Sequence, residues 1–144
     1  MNMDKKIAVR CRGVILHDEK LFLVTHPHDL RRAVLPGGHL EWGEDVKMCL
    51  QRELIEELGV KPEIGKLLYV NSFQNDNNVH SIEFFFEVKN GSDYLSINSE
   101  LRSHQYEIDK IIWADKTTDL KILPLSVGED FKAGRIISNE TRFL

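Results

Sequence analysis

Between Glu44 and Leu58 the apolar residues Val46, Leu50, Leu54 and Leu58 return every fourth position, and Gly59 follows directly. That spacing predicts an amphipathic helix with one buried stripe, stopped by a glycine in the C′ role. A helix with one apolar stripe has to lay that stripe on something, so the flanking sequence decides the architecture. From Ile7 to Leu16 the apolar positions Ile7, Val9, Cys11 and Ile15 alternate with Arg10 and Arg12, the period of a strand. A turn over His17 to Lys20 and a second strand over Leu21 to Thr25 make a hairpin. The stretch His26 to Ala33, HPHDLRRA, is expected as an exposed loop leading into LPGG.

Downstream, Lys66 to Phe73 and Val79 to Lys89 read as strands separated by the polar turn QNDNN, and Asn90-Gly91 opens another turn. Ile108 to Ala114 is a further short strand, and Pro124 followed by LSVGEDFKAGRI predicts a last helix. Strands mixed with two helices indicate an α/β or α+β sandwich rather than a helical bundle. At 144 residues, without repeats or low-complexity segments, the chain is expected to form one domain over residues 1–144.

Charge and cysteine use narrow the function. A net charge of −4 argues against an extended nucleic-acid surface, which normally needs a basic face. Cys11 and Cys49 show no metal-ligand spacing, and a reduced, cytoplasmic location is expected. No apolar run is long enough for a membrane span, so no membrane partner is expected. Oligomeric state is not legible at this level, and a homodimer is compatible with it.

The helix carries its own puzzle. Glu53, Glu56 and Glu57 fall in one sector of it, bordering the Leu50, Leu54, Leu58 stripe. Like charges at the edge of a core repel one another, and a hard divalent cation such as Mg²⁺ removes the conflict because it takes oxygen ligands. The plainer reading is a solvated acidic face, with Arg52 four residues from Glu56. Upstream, Pro36 and Gly37 suit the central positions of a type II turn. Gly38 then permits close backbone approach, and a carbonyl there can serve an ion where a side chain would block it.

Gly38 to Val60 resembles the Nudix box of the Nudix hydrolases, G-x5-E-x7-R-E-U-x-E-E-x-G-U with U an apolar residue. Gly38, HLEWG, Glu44, DVKMCLQ, then Arg52, Glu53, Leu54, Ile55, Glu56, Glu57, Leu58, Gly59 and Val60 satisfy every fixed position. The box spans 23 of the 144 residues; Trp113 and the ILP before the last helix are similar to family features as well. The resemblance implies a Nudix-type α/β/α sandwich with a mixed β-sheet.

It also implies hydrolysis of a nucleoside diphosphate linked to a group X, such as a nucleoside triphosphate or a nucleotide sugar, with Mg²⁺ or Mn²⁺. By resemblance, Glu53, Glu56 and Glu57 are metal ligands, with the Gly38 carbonyl completing the shell. Arg52 orients Glu53, and Glu44 supports the site from the helix start. Glu57 or Glu56 is the expected general base, with Glu100 and Glu107 as candidates outside the box. His26, His28, Arg31 and Arg32 are candidate substrate contacts. Some subgroups carry a proline or tyrosine beyond the box that marks an ADP-ribose or dinucleotide polyphosphate preference; this chain has QNDNN there. The alternative to an enzyme is a Nudix-fold module that binds a nucleotide without cleaving it.

Overall fold

A computed structural model describes residues 4–26, 29–75, 77–97, 100–104 and 107–144, with the side chains of 26, 100–104 and 107–109 outside the description. The elements follow in chain order: β1 Lys6–His17, β2 Lys20–His26, β3 Asp29–Val34, β4 Gly37–His39, α1 Val46–Leu58, β5 Ile64–Gln74, β6 Val79–Val88, β7 Glu100–His104, β8 Glu107–Ala114, β9 Lys121–Leu123, α2 Leu125–Lys132 and β10 Arg142–Phe143. A 3₁₀ turn, Gly91–Tyr94, leads out of β6.

The sheet is mixed. Its main path runs β10-β5-β6-β1-β2-β3-β9, with β4 added to β1 and β8 linking β2 to β7. β1 runs parallel to β6, β3 to β9 and β10 to β5, while β1–β2, β2–β3, β2–β8 and β5–β6 are antiparallel.

Strand alternation sorts side chains onto two faces, and each face receives one helix. Cys11 and Ile15 of β1, Phe22 of β2 and Phe86 and Val88 of β6 pack with Cys49, Leu50, Leu54 and Leu58 of α1. Val14, Leu21, Leu23 and Phe85 point the other way, onto Val127 and Phe131 of α2. The result is the α/β/α sandwich that the resemblance implies. Phe85 and Phe86 are core residues, and Trp113 stands edge-on to Phe22 with ring centroids 5.3 Å apart.

The helix begins at Val46, the first residue of its apolar stripe. Asp45 is the N-cap, its Oδ1 accepting from the Met48 amide at 2.8 Å. At the other end Gly59 takes φ 74°, and its amide donates to the Ile55 carbonyl at 2.9 Å, the left-handed cap predicted for it.

Three expectations are corrected. Within the expected loop His26 to Ala33, residues 29–33 belong to β3, because the backbone is paired on both sides by β2 and β9; its exposed Leu30, Arg31 and Arg32 hid a strand in which Ala33 alone is fully buried. The glycines of LPGG do not make a type II turn: Gly37–His39 is the short strand β4, paired with Arg10–Arg12. On β1, Ile7 is 75% exposed, whereas Arg12 is drawn inward to Glu83, its side chain 11% exposed.

Gly37 sits at φ 151°, and a β-carbon on it would strike the Cys11 carbonyl. Gly37→Ala is therefore expected to destabilise the fold by about 3 kcal/mol or more, since both the backbone angle and the β1–β4 contact resist it. Chemical denaturation measures this; a loss below about 1 kcal/mol would contradict the assignment.

A candidate active site at a glycine edge strand

β4 places Gly38 opposite Cys11, so the two share the face that meets α1. A β-carbon on Gly38 would land on the Glu53 carboxylate, which shows how closely the helix side chain is laid against that backbone. Any larger residue there has to displace that carboxylate. Cys49, fully buried one turn earlier on α1, directs its thiol to the Gly38 carbonyl at 3.8 Å. Burial is the first cause pushing the Cys49 thiol up, and likewise that of its neighbour Cys11, so both remain protonated packing groups.

Arg52 organises the acidic residues. Its Nε and Nη2 donate to the two oxygens of Glu44 at 3.0 and 2.8 Å. Nη1 donates to Glu53 at 3.0 Å and to Glu56 at 3.2 Å, and Nη2 also reaches the His39 carbonyl at 3.0 Å. The planar guanidinium fork suits this arrangement, which a lysine could not reproduce. Glu44 and Glu53 are shielded, with side chains 11% and 13% exposed, while Glu56 is 60% exposed. Glu57 is half-buried. Among the described residues no three His, Cys, Asp or Glu side chains already converge as a metal cage; the guanidinium of Arg52 stands among the carboxylates instead. The donors are nonetheless all oxygens, the ligand type that a hard cation takes, and the bare Gly38 backbone lies directly against the Glu53 carboxylate.

Glu44 responds most strongly to this setting. Hydrogen bonds from Arg52, then one from the Glu41 amide at 2.8 Å, hold its carboxyl down to about 2. A carboxyl held below its ordinary 4.5 stabilises the fold above that value, and the contribution is lost as pH falls toward 2. Glu44→Gln should accordingly melt below the wild type at pH 7, with the gap closing between about pH 4.5 and 2. Melting curves across that range check it; a gap independent of pH would contradict the role given to Glu44.

The other sequence candidates fall elsewhere. Arg31 and Arg32 lie exposed on β3, and Arg32 pairs with Asp29 at 3.2 Å. His28 lies outside the described residues, as do the side chains of His26, Glu100 and Glu107. The pattern reading missed Arg10 and Glu83. Arg10 was placed on a polar face, and Glu83 sat inside the apolar run IEFFFEV. The parallel register that sets Arg10 opposite Glu83 joins β1 to β6 across some seventy residues, and no local pattern carries it.

A carboxylate helix laid on a glycine edge strand within a two-helix sandwich is a recognisable design. A family model described as the NUDIX domain matches residues 8–124, and the chain belongs to that family. The chain is 35% identical over 89 residues to the ADP-ribose pyrophosphatase of Methanocaldococcus jannaschii, an alignment covering 58% of this chain and 53% of that protein. It thus spans about half the length of this curated relative. Among solved structures, the Escherichia coli ORF135 protein superposes with a TM-score of 0.66 at 21% identity, over 91% of this chain and 92% of that one. The mutator MutT protein of Bacillus halodurans gives 0.65 at 21% identity, over 94% and 86%. At such identity these two neighbours speak to the fold. Among the described residues no helix is long and apolar enough to cross a membrane.

Proposed function

We propose that the chain is a divalent-metal-dependent pyrophosphohydrolase acting on a nucleoside diphosphate linked to a second group. The observation that carries this reading is the Gly38–Glu53 contact, in which a bare backbone meets a shielded carboxylate that Arg52 holds together with Glu44.

Glu53, Glu56, Glu57 and the Gly38 carbonyl would hold Mg²⁺ or Mn²⁺. When bound, such an ion offsets the charge of the phosphate oxygens and lowers the pKa of water. The protein's own contribution is positional. Arg52 fixes the Glu53 carboxylate through Nη1, and Glu44 fixes Arg52 by accepting from Nε and Nη2. Glu57 or Glu56 takes the proton from an attacking water as its oxygen bonds to phosphorus. The bridging P–O bond then breaks, and its electron pair leaves with the departing phosphate or nucleotide.

The test is a panel of nucleoside triphosphates, nucleotide sugars and ADP-ribose, the last chosen from the name of the M. jannaschii relative. With Mg²⁺ present, at least one member should release phosphate, pyrophosphate or a nucleoside monophosphate. Measurable binding with no turnover of any member would replace the enzyme by a nucleotide-binding module.

A further inference from the structure

On the face of the sheet turned away from α1, two arginines stand next to each other on β1. Arg12 has its own anion: its Nε meets Glu83 Oε2 at 2.6 Å and its Nη1 donates to the Leu35 carbonyl at 2.9 Å. Glu83, 4% exposed, also accepts from Asn71 at 3.3 Å. Arg10, two residues earlier and hence on the same face, donates its Nε to His39 Nε2 at 3.1 Å. A ring nitrogen that accepts a hydrogen bond carries no proton, so this partner is neutral, and among the described residues Arg10 forms no ion pair of its own. Two guanidinium groups therefore share one nearby carboxylate, on a chain whose net charge is −4. Partial burial, and then the neighbouring charge of Arg12, both push the Arg10 guanidinium down from its ordinary value, as expected of a cation in want of an anion.

The position of this cation gives it meaning. Arg10 is the register partner of His39, and Cys11 that of Gly38, so Arg10 and Glu53 lie on opposite faces of the same glycine edge. Among the described residues β4 pairs with β1 alone, which leaves the Gly37-Gly38 edge open. His39, the partner of Arg10, lines a cavity of about 760 Å³ that also reaches Glu41 and Glu44, so the Arg10–His39 bond ends at a space large enough for a phosphate-bearing group. Arg31 and Arg32, the cations that the sequence suggested for this task, are on β3, and Arg32 already has Asp29.

We propose that Arg10, held by His39, grips a phosphate oxygen of the substrate from the side of the glycine edge opposite Glu53. The inference rests on the pyrophosphohydrolase reading for the identity of the anion, and a guanidinium is the side chain best shaped to hold two phosphate oxygens at once.

Binding of methylene-bridged ADP, which resists cleavage, measured by calorimetry in EDTA isolates this contact from any metal bridge. Arg10→Ala should weaken binding about tenfold to hundredfold, and Arg10→Lys by a smaller factor, since it restores the charge without the fork. Adenosine, which lacks phosphate, should bind both variants as it binds the wild type. Melting temperatures report folding, and if the alanine variant does not fold, the lysine variant carries the test. Equal affinity of wild type and folded variants for the nucleotide, or no binding by the wild type, overturns the proposal. Turnover separates it from the reading it rests on. A wild type that binds in an Arg10-dependent way yet cleaves nothing leaves this inference standing and removes the hydrolase. Cleavage with KM unchanged in Arg10→Ala does the reverse.

Discussion

Gly38→Ala should leave the protein folded and nearly as stable as the wild type, yet lower its turnover about 100-fold or more. The β-carbon added there meets no backbone first; it meets the far end of the Glu53 side chain, which can swing aside at little cost in stability. Swinging aside, however, takes the carboxylate away from both Gly38 and Arg52, the two neighbours that define its place. The change in stability is expected to stay within about 1 kcal/mol. Gly37→Ala, one residue away, is the internal contrast, since its obstruction is the Cys11 carbonyl and the damage falls on the fold. Paired measurements of kcat/KM and melting temperature separate the two variants. Full turnover in Gly38→Ala would mean that the position of Glu53 is irrelevant to chemistry.

Arg52→Ala should damage both properties at once. Without the guanidinium, Glu44 and Glu53 are left shielded with no cation, and the His39 carbonyl loses its donor. A stability loss of about 2 to 3 kcal/mol is expected, between the cost of an exposed ion pair and that of a fully buried one. Turnover should fall about 10- to 100-fold even where the protein remains folded, because Glu53 is no longer held. Arg52→Lys should recover part of the stability and little of the turnover, since one ammonium cannot span Glu44 and Glu53 as the fork does. A lysine variant as active as the wild type would contradict the orienting role.

Much of this architecture is written locally. The four-residue stripe of α1, the cap at Gly59, the β1–β2 hairpin and the β5–β6 pair all follow from short-range periodicity, because each buries one face next to its own sequence neighbours. β3 and β4 were missed for the opposite reason. Asp29–Val34 is mostly exposed and Gly37–His39 is three residues long, so both are strands only because distant strands pair with them. The candidate site divides along the same line. Glu44, Arg52, Glu53, Glu56 and Glu57 stand at motif spacing on one helix and its approach, and were legible as a group. Arg10, His39 and Glu83 converge from three strands through parallel and antiparallel registers. The Arg52 fork was also only half visible. The motif couples it to Glu53, whereas its two hydrogen bonds to Glu44 depend on the loop before Asp45 bringing that carboxylate back to the helix.

The central claim is that this acidic helix works through a divalent cation on a phosphoanhydride. Its most direct test is the initial rate of pyrophosphate cleavage, on whichever nucleotide of the panel turns over, followed as Mg²⁺ is titrated for the wild type and for Glu57→Gln. The wild-type rate should rise to saturation with Mg²⁺ and vanish in EDTA. The variant, melting at the same temperature, should turn over at least about 100-fold more slowly at every concentration. Full activity of Glu57→Gln, or a wild-type rate that persists in EDTA, would contradict it.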